Sequence, residues 1–118
     1  MSICYIITEI ELVGNTLDLH NSFNCRNIEY AMDKFIFDFS DSESLLRIVF
    51  TEVEILKMQL PFKQSFEGIT LDNMYRGRFE VNSQLADLSP DSKGCIYIEF
   101  YEGQSLEFLC KAMIIDLI

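Results

Sequence analysis

CIYIEFYEGQSLEFLCK, residues 95–111, is the stretch on which the fold turns. Ile96, Ile98 and Phe100 alternate with Tyr97, Glu99 and Tyr101. Glu102-Gly103-Gln104 turns the chain, and Leu106, Phe108 and Cys110 then alternate with Glu107, Leu109 and Lys111. A period of two puts each set on opposite faces of a pleated strand. Two such runs joined by a glycine-bearing turn predict an antiparallel hairpin.

The same pattern recurs upstream. Phe35, Phe37 and Phe39 oppose Lys34, Ile36 and Asp38. After the polar turn Ser40-Asp41-Ser42-Glu43-Ser44, Leu46, Ile48 and Phe50 share a face opposite Arg47. Val53 and Ile55 then alternate with Glu52, Glu54 and Leu56, with a bend or bulge between Phe50 and Glu52. Ile3 to Leu12 reads as a strand ending at Gly14-Asn15, with Thr16 to His20 returning. Asparagine-rich Asn21 to Asn27 reads as a loop. Pro61 to Asp72 fits either a helical turn or a long loop. In Met74 to Val81, Tyr75, Gly77, Phe79 and Val81 oppose Arg76, Arg78 and Glu80. Met113 to Leu117 extends the last strand or adds another. The expected fold is one mainly β domain over residues 1–118, a β-rich α+β chain with at most one or two short helices, placed within 61–75 or 83–89. Its antiparallel hairpins form a sandwich or a partly open barrel.

The chain has 118 residues, 49% of them hydrophobic, with ten Phe and five Tyr. A chain of this length buries roughly two-thirds of its unfolded surface, so no disulfide or metal is needed to hold a core. Cys4, Cys25, Cys95 and Cys110 form no CxxC pair, and Cys4, Cys95 and Cys110 lie in apolar strand-like runs. Reduced thiols in a cytoplasmic protein are the expectation. The N-terminus lacks the positive segment of an export signal, and no apolar run reaches the ~20 residues of a membrane helix.

Nineteen acidic residues against nine basic ones give a net charge of −10. Such a balance repels nucleic-acid phosphate and anionic membranes, so neither is an expected direct partner. It attracts a basic protein. Plain solubility explains the same acidity.

Catalytic signatures are missing from the sequence. His20 is the only histidine, in Leu17-Asp18-Leu19-His20-Asn21, and lacks a second positioned group. No nucleophile elbow or phosphate-cradling glycine loop occurs. Asp38-Phe39-Ser40-Asp41-Ser42-Glu43 resembles a calcium loop but lacks its central glycine and its terminal glutamate at the proper distance. No catalytic residue, cofactor or metal is assigned.

Carboxylates recur in pairs: Glu9 with Glu11, Glu52 with Glu54, and Glu99 with Glu107 across the predicted turn. Residues two apart in a strand share a face. Tyrosines among carboxylates can anchor an interface with a cationic partner. The candidate partner-binding residues are therefore Glu52, Glu54, Tyr97, Glu99, Tyr101, Glu102 and Glu107. Coverage of this face by a second sheet or by residues 61–75 is the other reading, and makes both tyrosines core. Arg76 and Arg78 form an island of opposite sign that either pairs with the chain's own carboxylates or meets a partner.

Two stretches resemble the small bacterial immunity proteins of polymorphic toxin systems. Leu17-Asp18-Leu19-His20-Asn21, followed by Ile28-Glu29-Tyr30 and the strands Phe35–Phe39 and Leu46–Phe50, is similar to their opening pattern. It departs from that pattern at Asn21, where an acid is more usual. Ile96 to Phe100, through Tyr101-Glu102-Gly103 to Phe108-Cys110-Lys111, is similar to their closing hairpin. The resemblance implies a cytosolic, non-enzymatic antitoxin that covers a cognate toxin. Nuclease effectors are commonly basic, which suits this charge. A phage-encoded, anti-CRISPR-like protein that mimics nucleic acid with its carboxylates is the alternative.

Overall fold

A computed structural model describes residues 5–6, 9–12, 15–19, 23–59, 71–77, 79–81, 83–86 and 92–118. Its strands are β1 (Tyr5–Ile6), β2 (Glu9–Leu12), β3 (Asn15–Asp18), β4 (Asn24–Ala31), β5 (Lys34–Ser40), β6 (Leu45–Thr51) and β7 (Glu54–Gln59). They continue with β8 (Leu71–Gly77), β9 (Phe79–Val81), β10 (Gln84–Ala86), β11 (Gly94–Phe100), β12 (Ser105–Cys110) and β13 (Ala112–Leu117). A five-stranded sheet runs in the order β1-β8-β11-β12-β7, and a four-stranded sheet in the order β13-β6-β5-β4. β2 with β3 and β9 with β10 form separate hairpins. Every described pairing is antiparallel.

The two large sheets share one core. Phe35, Phe37 and Phe39 of β5 and Leu46, Ile48 and Phe50 of β6 are buried. So are Ile96, Ile98 and Phe100 of β11 and Leu106 and Phe108 of β12. These are the sets that the period of two selects. The Phe108 ring bridges the sheets, 5.1 Å from Phe35 and 4.9 Å from Phe50 between centroids. Each buried phenylalanine contributes about 1.5–3 kcal/mol by leaving water, and each such ring pair about 0.5–1.5 kcal/mol more. The arrangement is sandwich-like, and the sheets do not close into a barrel.

A shared corner joins the sheets. β6 leaves the four-stranded sheet at Glu52, whose φ of 48° is left-handed, and continues as β7 in the other sheet. The bend anticipated after Phe50 is located there. β12 makes the reverse crossing at Lys111 and continues as β13. The two crossings lie side by side: Leu109 pairs with Glu54 before the corner and Ala112 with Thr51 after it. The Lys111 amide donates to the Thr51 carbonyl at 2.9 Å, and the Val53 amide to the Asp33 carbonyl at 2.7 Å. Backbone donors thus stay satisfied where both ladders change sheets. The tail at Met113 to Leu117 adds a strand to the opposite sheet.

Three expectations need correction. Asn24 to Asn27 belongs to β4 and is not loop. Pairing with β5 supplies this polar segment's backbone bonds, a bulge between Cys25 and Asn27 adjusts the register, and Cys25 is buried. Residues 71–75 lie in β8, Ser83 in a turn and 84–86 in β10, so the helix placed within 61–75 or 83–89 is strand or turn wherever those ranges are described. β8 is held there by its ladder to β11. Among the described residues there is no helix. Residues 61–70 and 87–89, with His20, Cys4 and Arg78, lie outside them. Finally, Glu52 and Glu54 do not share a strand face, because Glu52 is the corner itself.

Candidate interaction face

The outward side of the five-stranded sheet is built by register. Tyr97 of β11 lies opposite Tyr75 of β8 and Glu107 of β12, and Glu107 lies opposite Lys57 of β7. One row across four strands therefore reads Tyr75, Tyr97, Glu107, Lys57. Glu99 follows two residues after Tyr97 on the same face. Cys95, opposite Leu109, precedes it, with Glu54 next to Leu109 on β7.

Tyr75 and Tyr97 stack, with centroids 6.0 Å apart and ring planes 15° from parallel. The Tyr97 hydroxyl donates to the Glu99 carboxylate at 2.5 Å. That bond, then burial, then the negative charges of Glu99 and Glu107 push the Tyr97 phenol up to about 12. Tyr97 is thus held as a protonated donor, and Glu99 is fixed in place. The Cys95 thiol contacts the Glu107 carboxylate at 4.0 Å. Cys95 and Leu109 are buried although they face away from the shared core.

Four of the seven candidates, Glu54, Tyr97, Glu99 and Glu107, come together on this face. Tyr101 and Glu102 are exposed on the β11–β12 turn, where Gly103 adopts a φ of 100°. Such a conformation favours glycine. Glu52 stands apart at the corner, 3.6 Å from the Lys111 ammonium. Tyr75 and Lys57 were not among the candidates. Only the β8–β11 and β7–β12 registers bring them in, and no local pattern announces those. Tyr97 is half-buried and Tyr101 is 60% exposed, so neither tyrosine belongs to the core.

This face offers a stacked tyrosine pair with the anchored Glu99 carboxylate and Glu107 beside it. Such a surface receives a guanidinium or ammonium by cation–π contact and charge-assisted hydrogen bonding. Among the described residues, no group of three His, Cys, Asp or Glu gathers as a metal site. Asp41, in the stretch that resembles a calcium loop, accepts the Glu43 amide at 2.8 Å as a turn-closing group. Burial pushes the Cys25 thiol up to about 12 and the Cys110 thiol up to about 11. Neither is poised as a nucleophile at neutral pH. Among the described residues no helix is long and apolar enough to cross a membrane.

These features define a sandwich-like β chain with an aromatic, carboxylate-edged outer face. Comparison with protein-family models, curated proteins and solved structures finds no match.

Proposed function

We propose that the chain is a non-enzymatic, protein-binding inhibitor of the immunity type, which neutralises a cognate bacterial toxin by covering its active site. A basic nuclease effector suits the charge best. One observation carries the reading: the stacked Tyr75–Tyr97 pair, edged by Glu99 and Glu107, on a chain of net charge −10. Tyrosines supply contact area at low entropic cost, and a fixed carboxylate loses little freedom on pairing. The remaining negative charge steers a basic partner toward the face. The resemblance to immunity proteins supports the class of partner, and the aromatic face supports the place of contact.

Co-expression with the product of the adjacent gene tests this. The expected result is a stable complex, protection of the host, and association that slows by ~10-fold or more as salt rises. Absence of both complex and protection overturns the reading. A complex whose affinity ignores Tyr97→Ala and Glu107→Gln removes this face from it, and leaves the acidity to solubility.

A further inference from the structure

One cleft of this acidic chain carries cations on its rim. Arg76 of β8 and Lys111 of the corner line this cleft of about 340 Å³. Ile96, Cys110 and Met113 give it an apolar wall. It opens where β12 leaves the five-stranded sheet, one residue beyond the Gly94–Cys110 pair, so that β13 stands away from β11. Ile96 and Cys110 are buried, while Met113 is 36% exposed at the rim. Among the described residues, no carboxylate lines it. In a chain with nineteen acidic residues, that omission sets the cleft apart.

Its charge can be counted. The Lys111 ammonium lies 3.6 Å from the exposed Glu52 carboxylate. Arg76, Lys111 and Glu52 together leave one net positive charge, which suits a monoanion better than a dianion. Arg76 is close enough to the Cys110 thiol for its charge to work against the burial that pushes that thiol up to about 11. The thiol therefore stays protonated, a soft apolar wall and not a nucleophile. The volume lies at the low end of the ~300–1,000 Å³ of small-molecule sites. At about 30 Å³ for each water-sized unit, it holds roughly a dozen non-hydrogen atoms.

We propose that this cleft binds a small aliphatic monocarboxylate, with its carboxylate on Arg76 and its chain against Ile96, Cys110 and Met113. A guanidinium receives a carboxylate through two parallel hydrogen bonds, an arrangement that an alcohol cannot reproduce. Ile96 faces inward where Tyr97 faces outward, so the cleft and the aromatic face lie on opposite sides of the same sheet. The site is independent of the proposed inhibitor role.

Decanoate, a ten-carbon monocarboxylate, is the probe. It is titrated into the intact protein and followed by the methyl resonances of Ile96 and Met113. Saturable shifts with a midpoint below about 1 mM are expected. Decanol should bind at least ~10-fold more weakly than decanoate, and Arg76→Gln should weaken decanoate by a similar factor. Arg76 is exposed, so this variant should keep the wild-type fold, which circular dichroism checks. Equal binding of acid and alcohol, undiminished binding by Arg76→Gln, or no saturable shift in the folded protein each overturns the proposal.

Discussion

Arg47 of β6 grips Asp38 of β5 through two hydrogen bonds, Nε to Oδ1 at 2.8 Å and Nη2 to Oδ2 at 3.1 Å. The residues lie directly opposite in the ladder. Asn27 of β4 adds a bond from its amide to Oδ2 at 3.4 Å. Asp38 sits between Phe37 and Phe39, so it faces away from the core, yet it is only 8% exposed. A carboxylate that buried needs partners, and the strands on either side supply them.

The Arg47 bonds hold the Asp38 carboxyl below its ordinary value of 3.8, against the opposing effect of burial. A depressed folded-state pKa contributes stability above the unfolded value and loses it as pH falls through the folded one. Asp38→Asn should cost about 1 kcal/mol at pH 7, a modest figure because Arg47 is well solvated. The gap between wild type and variant should close as pH drops below the unfolded carboxylate's range. Thermal melts from pH 7 down to acid check this, and a gap that widens on acidification contradicts it.

Phe108 is the ring that joins the two sheets, fully buried against Phe35 and Phe50. Phe108→Ala should destabilise by about 3–5 kcal/mol, since both sheets line the cavity and cannot both collapse onto it. Phe108→Leu should cost less, about 1–2 kcal/mol. Urea unfolding measures both. Similar values for Phe108→Ala and for an exposed substitution such as Leu56→Ala mean that the sheets do not share this core.

How far the fold is legible in the sequence depends on where each signal resides. The hairpins β5–β6 and β11–β12 carry theirs locally, as large side chains on alternate residues about a polar turn. β4 does not. Asn24, Asn27 and the lone buried Cys25 look like a loop until β5 offers its free edge. The corner is equally opaque, because Thr51-Glu52-Val53 contains neither glycine nor proline, and Glu52 enters the left-handed region without either. Pairs that the sequence places two apart, such as Tyr97 and Glu99, come out on one face. Tyr75 reaches Tyr97 only through long-range register, and no window of sequence contains both.

The Tyr97–Glu99 bond makes a spectroscopic prediction. The Tyr97 phenol is pushed up to about 12 from an ordinary 10.0, with the Glu99 carboxylate as the first cause. Glu99→Gln should return it toward the ordinary value, because the amide neither carries charge nor holds the proton as strongly. A raised folded-state pKa contributes stability that is complete below the unfolded value and is lost as pH rises through the folded one. Wild type should therefore lose stability relative to Glu99→Gln only in strong alkali. Tyrosinate absorbance during alkaline titration follows the ionisation directly. Identical titrations of the two proteins mean that the bond does not form in solution.

Met32 offers the last test. It occupies the two-residue turn between β4 and β5 with a φ of 59°, and it is 96% exposed. Asp33, the second central residue, has no positive φ, and a two-residue hairpin turn with a positive φ at its first central residue alone favours glycine there. Met32 contributes nothing to the core in return, so relieving the strain should come without loss of packing. Met32→Gly should stabilise the fold by about 0.5–1 kcal/mol, net of the freedom that glycine adds to the unfolded chain, and Met32→Asn by less. Chemical denaturation measures the order. If Met32→Gly instead destabilises the isolated chain, φ is not positive at this residue. If it stabilises the chain while weakening capture of the proposed partner, the strained methionine serves the contact and not the fold.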